Sequence, residues 1–516
     1  MDRQFDDFSV GDSVSFGRQF TPDDFAAFSV LSGDRNPLHH DAAYAARSTF
    51  GRAIVPLQLV AAPLSAIAGM FMPGHRSLVL DSQFRAIEPV DYGVEVVYSA
   101  QIVSKHPALR ALTIRVIAFD GRRVLVEGRL RVRVRDDVPA GVWADVDCPE
   151  IENSTRHRVA LVTGSTGAIG SAVCVALARN GWTLILHHRG NEDLAAQWQR
   201  TCRQEGSEAH LWRCDLASTA TRREALVALA SLPAASLLVH SACPSVVAPL
   251  VETMEVNFAA LRDLGEALLP GMLQRQYGDI VFLGSSALEH APQGWDDYVA
   301  AKAAATHYLR TFDRRYATYG IRGTVVAPGR VSGPFSQEAI SLSPPDAHIP
   351  FQDHHPNDAD CLLPEEVAET VLDLVERRDR PSGGYVSVSP GVIRHGAWDF
   401  RPSPAAPAGT EPSLPTRSSL DHSERGPTLH ASVPASAMSD HDELETLVRR
   451  MLHLPETADL SEAALDKTPG WDSLGHLQLL LSVESALRVS FSSQEMSQTT
   501  RYSELSRLVA GKLRGR

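Results

Sequence analysis

The 516-residue sequence has only six cysteines, no C-x-x-C pair, no long uninterrupted apolar run and no excess of positive charge. The cysteines, at 148, 174, 202, 214, 243 and 361, are too scattered for a disulfide framework or a metal knuckle and read as reduced thiols of a cytoplasmic protein. The most apolar stretch, Ile54 to Met72, is interrupted by Pro56, Gln58 and Pro63, which fits a buried core helix and not a membrane span. The opening M-D-R-Q-F-D-D-F lacks the basic and apolar regions of a signal peptide. With 49 Lys+Arg against 62 Asp+Glu the formal charge is −13, so neither nucleic acid nor an anionic membrane is an expected partner. What is present is globular material, 44% hydrophobic and 22% charged, in a length that allows about three or four folding units.

Composition divides the chain. From Pro402 to Asp440, Pro, Ser, Ala and Thr dominate without apolar periodicity, so a linker is placed over 393–440. Its Pro/Ser-rich part, if flexible, spans roughly 35 Å end to end. A weaker break falls at 141–157. Residues 1–140 combine a helix-containing front with the alternating runs L-T-I-R-V-I-A-F and G-R-L-R-V-R-V, whose period of two predicts antiparallel strands and an α+β fold. Residues 158–392 alternate β-branched runs with helical patterns, the signature of an α/β doubly wound parallel sheet. Residues 441–516 read as all-helical, and no internal repeat is evident.

In the middle segment the strand V-A-L-V leads into T-G-S-T-G-A-I-G, Thr163 to Gly170, and then an Ala-rich helix. Such glycines let backbone approach phosphates at a helix N-terminus, although a Gly-rich turn alone is also a common tight loop. Tyr298 and Lys302 stand at i, i+4 in Y-V-A-A-K, with Ser285 thirteen residues before the tyrosine. A neighbouring ammonium stabilises phenolate, and a serine hydroxyl can hydrogen-bond a reacting carbonyl oxygen, so Tyr298 is the expected proton donor. The set resembles the short-chain dehydrogenase/reductase family over about 235 residues. The resemblance implies a Rossmann fold, a proton-relay role for Asn257, and a cofactor site that takes in Gly164, Ser165, Thr166, Ile169, Gly170, Asp215, Leu216, Ala242, Pro328 and Gly329 together with Tyr298 and Lys302. His188 and Arg189 stand where NAD-preferring relatives carry an acidic residue and suit a 2′-phosphate, which favours NADPH. Three positions depart from the family pattern: Ala168 for a glycine, H-S-A-C at 240–243 for N-N-A-G, and Gly333 for a threonine. Ser286 competes with Ser285 for the serine role, and Ser285 has the expected spacing. The polar stretch from Gly333 to Cys361 is expected to be a substrate lid, and its D-H-H-P-N-D, from Asp353, a solvated loop with no metal.

Near the front, L-S-G-D-R-N-P-L-H-H-D puts Asp34 and His39 on either side of an Asn36-Pro37 turn. An Asp and a His can share the proton transfers that remove water from a 3-hydroxyacyl thioester, while the plain alternative is an Asx-type turn with a surface histidine. With A-A-R-S-T-F-G-R-A-I-V and the later strands, this run resembles MaoC-like (R)-specific enoyl-thioester hydratases over about 130 residues. That implies a hotdog fold with Asp34 and His39 catalytic, and His40 and Asp41 as helix-start residues. Where relatives have I-V-H-G-M, this chain reads I-V-P-L-Q at 54–58, so Pro56 offers no amide hydrogen and Leu57 is the remaining donor to a thioester oxygen.

After 440, an amphipathic helix from Asp442, the run G-W-D-S-L-G-H-L-Q-L-L-L and a final short helix resemble an acyl carrier protein over about 75 residues. This implies a four-helix carrier domain with 4′-phosphopantetheine on Ser473. Residues 441–516 hold 11 Asp+Glu and 9 Lys+Arg, so docking by a strongly acidic helix face is not expected. The sequence therefore predicts NADPH-dependent reduction of 3-oxoacyl thioesters and their dehydration on the chain's own carrier. A phosphopantetheinyl transferase, a ketosynthase and a loading enzyme would act in trans, and the resemblance implies a homo-oligomer. The rivals are the reverse, oxidative direction and a hotdog domain that binds acyl chains without catalysis.

Overall fold

The computed structural model describes residues 3–137, 150–290, 292–337, 361–377, 382–396 and 501–514, with scattered positions between 444 and 499. Residues Met1–Ala406 form one compact unit and Pro407–Arg516 another. Period-two alternation builds the first sheet. Its elements are β1 (Asp12–Gln19), α1 (Pro22–Ser32), α2 (Ala42–Ala45), α3 (Leu57–Ala61), α4 (Pro63–Ala66), a π-helical turn at Ile67–Phe71, β2 (Ser77–Ala86), β3 (Glu95–His106), β4 (Ala111–Asp120), β5 (Arg123–Val134) and β6 (Glu152–Asn153). All neighbours in the order β2-β5-β4-β3-β1-β6 pair antiparallel. Helix α1 is set by its ends: Thr21 and Asp24 form a capping box, and Gly33 closes the helix at φ +77°. The stretch from Leu57 to Phe71 is helical in three pieces broken at Pro63, as proline requires. Its Val60, Leu64 and Ile67 bury against Val96, Tyr98, Ile102 and Ile114, and the Tyr98 hydroxyl donates to the Val60 carbonyl at 2.6 Å. A sheet wrapped on an apolar helix is the hotdog arrangement.

The second sheet follows β7 (Val159–Thr163), α5 (Ala168–Arg179), β8 (Thr183–His188), α6 (Glu192–Gln204), β9 (Ala209–Arg213), α7 (Thr219–Leu229), β10 (Leu237–His240), α8 (Leu250–Met254), a π-helical turn at Glu255–Ala259, α9 (Ala260–Arg275), β11 (Gly278–Leu283), α10 (Ala287–His290), α11 (Asp296–Tyr316), β12 (Ile321–Pro328), α12 (Pro364–Glu376), β13 (Tyr385–Ser389) and β14 (Val392–Gly396). The order is β14-β13-β12-β11-β10-β7-β8-β9, parallel except for β14. The chain leaves β7 toward β8 on one side and returns to β10 on the other. The carboxyl ends of β7 and β10 are thus the switch point where such sheets bind ligands.

The two sheets share packing. Ile117, Phe119 and Val124 of the hotdog belong to the same apolar cluster as Leu268, Met272 and Tyr316. Around it lies a polar seam: Ser99 Oγ donates to the Gln274 carbonyl at 2.8 Å and Gln101 Nε2 to the Arg275 carbonyl at 3.0 Å. Two short strands fall in stretches read from sequence as linkers. Glu152–Asn153 pairs with β1, and β14 extends past 392 to Gly396, because two- to five-residue strands carry too little periodicity to announce themselves.

In the second unit, Leu444, Val448, Leu460, Leu479 and Val483 pack with Leu505 and Val509 of α13 (Tyr502–Arg514). Ser473, most of the expected linker, and the D-H-H-P-N-D run lie outside the described residues. Among the described residues, no helix is long and apolar enough to cross a membrane.

Candidate active sites

The larger site is a cavity of about 710 Å³ at the switch point. At its phosphate-loop end are Gly164, Thr166, Ile169 and Gly170. Gly170 is fixed by sterics, since a Cβ there would drive into the Gly164 carbonyl. Two departures from the family pattern prove to be neighbours: at Gly333, φ +144°, a Cβ would lie 3.2 Å from the Ala168 methyl. The methyl gained at one position occupies space left by the side chain lost at the other. Ser165 does not line the cavity; it is fully buried, and its hydroxyl donates to the His187 carbonyl at 2.9 Å.

His188, Arg189, Asp215 and Leu216 line the cavity beside this loop. His188 is 5% exposed and its Nδ1 has no hydrogen-bond partner. Burial and the Arg213 charge lower its pKa, against the pull of Glu192. Arg189 is largely exposed and lies 3.9 Å from Glu252.

Two imidazoles at this site, one of them the histidine of the H-S-A-C departure, had no role assigned from the sequence. The Gly164 amide donates to His187 Nδ1 at 3.0 Å, which leaves His187 Nε2–H to donate to the Cys214 carbonyl at 3.0 Å. His240 stands where the family pattern has asparagine. Thr163 Oγ1 donates to its Nδ1 at 3.1 Å and its Nε2–H donates to the Val256 carbonyl at 2.9 Å, beside Asn257. The same Thr163 oxygen accepts the Ser241 and Ala242 amides, both at 3.1 Å. Burial pushes His187 down to about 4 and His240 to about 3, so both rings are neutral near pH 7. In the sequence His240 stood out only as part of the H-S-A-C departure, and nothing but its strand-end position marked His187.

Ala242, Ser285, Tyr298, Lys302, Pro328 and Gly329 line the reaction end, so the serine, tyrosine and lysine meet as their spacing suggested. Helix α11 carries Tyr298 and Lys302 on one face, and both are buried. The Lys302 ammonium donates to the Leu283 carbonyl at 2.7 Å and lies 5.6 Å from the centre of the Tyr298 ring. Burial lowers the Lys302 pKa, opposed by Cys243. Burial and nearby Cys243 raise that of Tyr298, opposed by a hydrogen bond with Ser285. Ser285, not Ser286, therefore serves the phenol. Asn257 sits in the π-helical turn away from the cavity wall. Its amide donates to the Thr253 carbonyl at 3.0 Å, and its buried Oδ1 has no hydrogen-bond partner. Cys243, Trp295 and Phe335 also line this end.

In the hotdog domain, Asp34 and Asn36 make successive Asx turns: Asp34 Oδ1 accepts the Asn36 amide at 2.9 Å and Asn36 Oδ1 the Leu38 amide at 3.1 Å. These turns bring His39 Nε2 to 4.0 Å from Asp34 Oδ2. His39 Nδ1–H donates to the Ile54 carbonyl at 2.8 Å, which turns Nε2 toward Asp34. Phe25 packs beside both His39 and His40, and Asp41 caps α2 by accepting the Ala43 and Tyr44 amides. Tyr92 was not foreseen. Its hydroxyl is buried without a partner, and burial, then the charges of Asp34 and Asp24, push its pKa up to about 12. Pro56 caps the N-terminus of α3, where Leu57 is the first helical residue.

Residues 158–341 match the short chain dehydrogenase family and residues 7–114 the MaoC like domain family. An (R)-specific enoyl-CoA hydratase of Aeromonas caviae is 33% identical over 114 residues, covering 22% of this chain and 85% of that protein. An acetoacetyl-CoA reductase of Allochromatium vinosum is 25% identical over 186 residues, 34% of this chain and 75% of the relative. An uncharacterised oxidoreductase of Mycobacterium tuberculosis is 26% identical over 295 residues, 52% of this chain and 82% of the relative. The chain belongs to the MaoC-like family through its first domain and carries, over residues 158–341, a short-chain dehydrogenase domain.

Proposed function

We propose that the protein reduces 3-oxoacyl thioesters to (R)-3-hydroxyacyl thioesters with NADPH and dehydrates these to trans-2-enoyl thioesters, the acyl group riding on 4′-phosphopantetheine at Ser473. The observation that carries the reading is the meeting of Ser285, Tyr298 and Lys302 at one end of a cavity whose other end is a phosphate loop. The residues fit a dinucleotide. The cradle at Gly170 leaves no room for a side chain, and His188, whose buried Nδ1 has no partner, lines the cavity. Arg189, with no acidic residue at the end of β8, favours a 2′-phosphate. NADPH bound there supplies the hydride.

The chain's own residues handle the proton. Ser285 hydrogen-bonds the ketone oxygen and holds it at the Tyr298 hydroxyl, which donates its proton as charge develops on that oxygen. Lys302 stabilises the phenolate left behind, and Asn257 Oδ1 anchors a water through which the proton is replaced. For dehydration, His39 Nε2 takes the proton from C2 while Asp34 stands beside the imidazolium that forms. That same Nε2 proton then passes to the departing 3-hydroxyl, so that water leaves, the C2–C3 double bond forms and His39 is regenerated. The Leu57 amide, first in α3, is the donor for the thioester oxygen, which favours catalysis over mere acyl binding.

A phosphopantetheinyl transferase would install the arm, and a ketosynthase and a loading enzyme would supply the substrate in trans. A flexible tether of suitable length gives effective concentrations of about millimolar at both sites. The test is to phosphopantetheinylate the protein, load a 3-oxoacyl group, add NADPH and follow the bound mass. A gain of two hydrogens and then loss of water is expected. A species that stops at the alcohol, identically in Asp34→Ala, removes the dehydratase. Arm attachment in Ser473→Ala removes the carrier, and a strong preference for NAD+ favours the oxidative direction.

A further inference from the structure

We propose that His187 is a positioning residue for the nucleotide loop: a neutral imidazole from which the Gly164 amide hangs. The inference rests on the dinucleotide reading of the cavity and adds a residue outside the glycine motif. Gly164 opens the loop where β7 ends, and its N–H donates to His187 Nδ1 at 3.0 Å. The Ser165 amide donates to the His187 carbonyl at 3.1 Å, and the Ser165 hydroxyl to the same oxygen at 2.9 Å. One residue thus holds two successive loop residues by three hydrogen bonds. A fourth, from Nε2–H to the Cys214 carbonyl at 3.0 Å, ties the ring to the segment that carries Asp215, which also lines the cavity. The ring is 4% exposed and lies 5.4 Å from the Trp212 ring, so no bulk water replaces a lost bond.

Only one form of the ring does this. Protonated, His187 would turn an N–H toward the Gly164 N–H and push the loop off β8. The groups facing it are His188 on its own strand, Cys214 and Asp215 after β9, and His240 across β7. Burial dominates among their effects and keeps the ring neutral through the physiological range.

The two nitrogens can be separated by substitution. Asparagine places a carbonyl oxygen where Nδ1 stands and keeps the bond to Gly164. Glutamine places an amide where Nε2 stands and keeps only the bond to Cys214. Calorimetric titration of full-length protein with NADPH is expected to give His187→Asn a Kd close to the unmodified protein. His187→Gln and His187→Leu should bind ~5–100-fold more weakly, the cost of one unsatisfied buried amide, with kcat at saturating NADPH unchanged. A ring that only fills space or braces the sheet predicts otherwise: glutamine equal to or better than asparagine, or all three variants equal to the parent, and either result overturns the proposal. As a check that needs no variant to fold, 15N shifts of histidine-labelled protein should show a neutral, Nε2-protonated His187 down to about pH 5. An Nδ1–H or charged ring there also refutes it. A parent protein that binds no nicotinamide nucleotide removes the dinucleotide reading as well; binding that is indifferent to residue 187 removes this inference alone.

Discussion

Gln276 is the place to ask whether the hotdog and reductase domains unfold as one body. The residue ends α9 in a left-handed conformation, φ +49°, and its side chain is 1% exposed. Nε2 donates to the Ser99 carbonyl at 2.9 Å, to Ser99 Oγ at 3.0 Å and to the Arg115 carbonyl at 3.2 Å, while Oε1 accepts Arg115 Nε at 2.5 Å. Arg115 is itself so desolvated that burial pushes its pKa down to about 10, though it keeps the Thr318 carbonyl and Gln101 Oε1 as acceptors at 2.9 Å. Gln276→Ala removes one charged hydrogen bond, worth ~1.5–3 kcal/mol, and leaves the Ser99 carbonyl short of a donor at ~1–3 kcal/mol, so a loss of about 3–5 kcal/mol is expected. Gln276→Gly should lose about 1 kcal/mol less, because glycine relaxes the left-handed backbone. The assay follows from composition: residues 1–137 contain no tryptophan, so with Trp143, Trp398 and Trp471 replaced by Phe the remaining Trp182, Trp198, Trp212 and Trp295 report the reductase in urea unfolding, and hydrogen exchange of β3 and β4 reports the hotdog. The parent should show coincident transitions, and Gln276→Ala should separate them. A loss below ~1 kcal/mol with transitions still coincident would refute the idea that this seam couples the domains.

Four further outcomes are expected. Tyr298→Phe should cut ketone reduction at least ~100-fold with a much smaller change in NADPH affinity, since the ring that lines the cavity is kept and only its hydroxyl, the proton donor, is removed; equal loss of binding in calorimetry would contradict this. Leu57→Pro deletes an amide hydrogen at a first helical position that tolerates proline, so enoyl-thioester hydration followed by absorbance should fall ~100-fold or more while the melting temperature holds. His187 and His240 are bases whose folded pKa values, about 4 and about 3, lie below the unfolded value of ~6.5, so their contribution to stability is complete above pH 6.5 and falls as pH drops toward 4, by about 3 kcal/mol each. A urea midpoint that stays flat from pH 7 to 4.5, or an unchanged acid slope in His240→Asn, would speak against that. Burial pushes the thiols of Cys202 and Cys214 up to about 11 and Cys174 well up, whereas Cys243 lines the cavity half-buried; peptide mass spectrometry after brief iodoacetamide treatment should find Cys243 alkylated ahead of those three, and NADP+ should slow it.

Much of this was legible where chemistry imposes spacing. Tyr298 and Lys302 had to share a helix face, and a parallel sheet with a glycine turn after its first strand had to put that turn at the switch point. Both candidate sites could thus be named from the spacing of their residues. His187 and His240 were not legible, because a histidine at a strand end carries no periodic signal and its role depends on which carbonyl faces it across the sheet. The Ala168 and Gly333 departures looked like two separate losses until their Cβ positions proved to be in contact. Tyr92 was hidden for a similar reason: its meaning lies in proximity to Asp34, not in its sequence neighbours.

The two-residue strand β6 bears on how the protein can be divided. Glu152–Asn153 pairs with Asp12 and Ser13 at the open side of β1, and Ser13 Oγ shares a 2.6 Å hydrogen bond with Ser154. A hotdog fragment cut at residue 140, the boundary composition alone suggests, would leave that β-edge bare and inviting to other chains. A fragment carried on to residue 157 would keep its own edge guard, so the boundary between hotdog and reductase lies after β6, not before it.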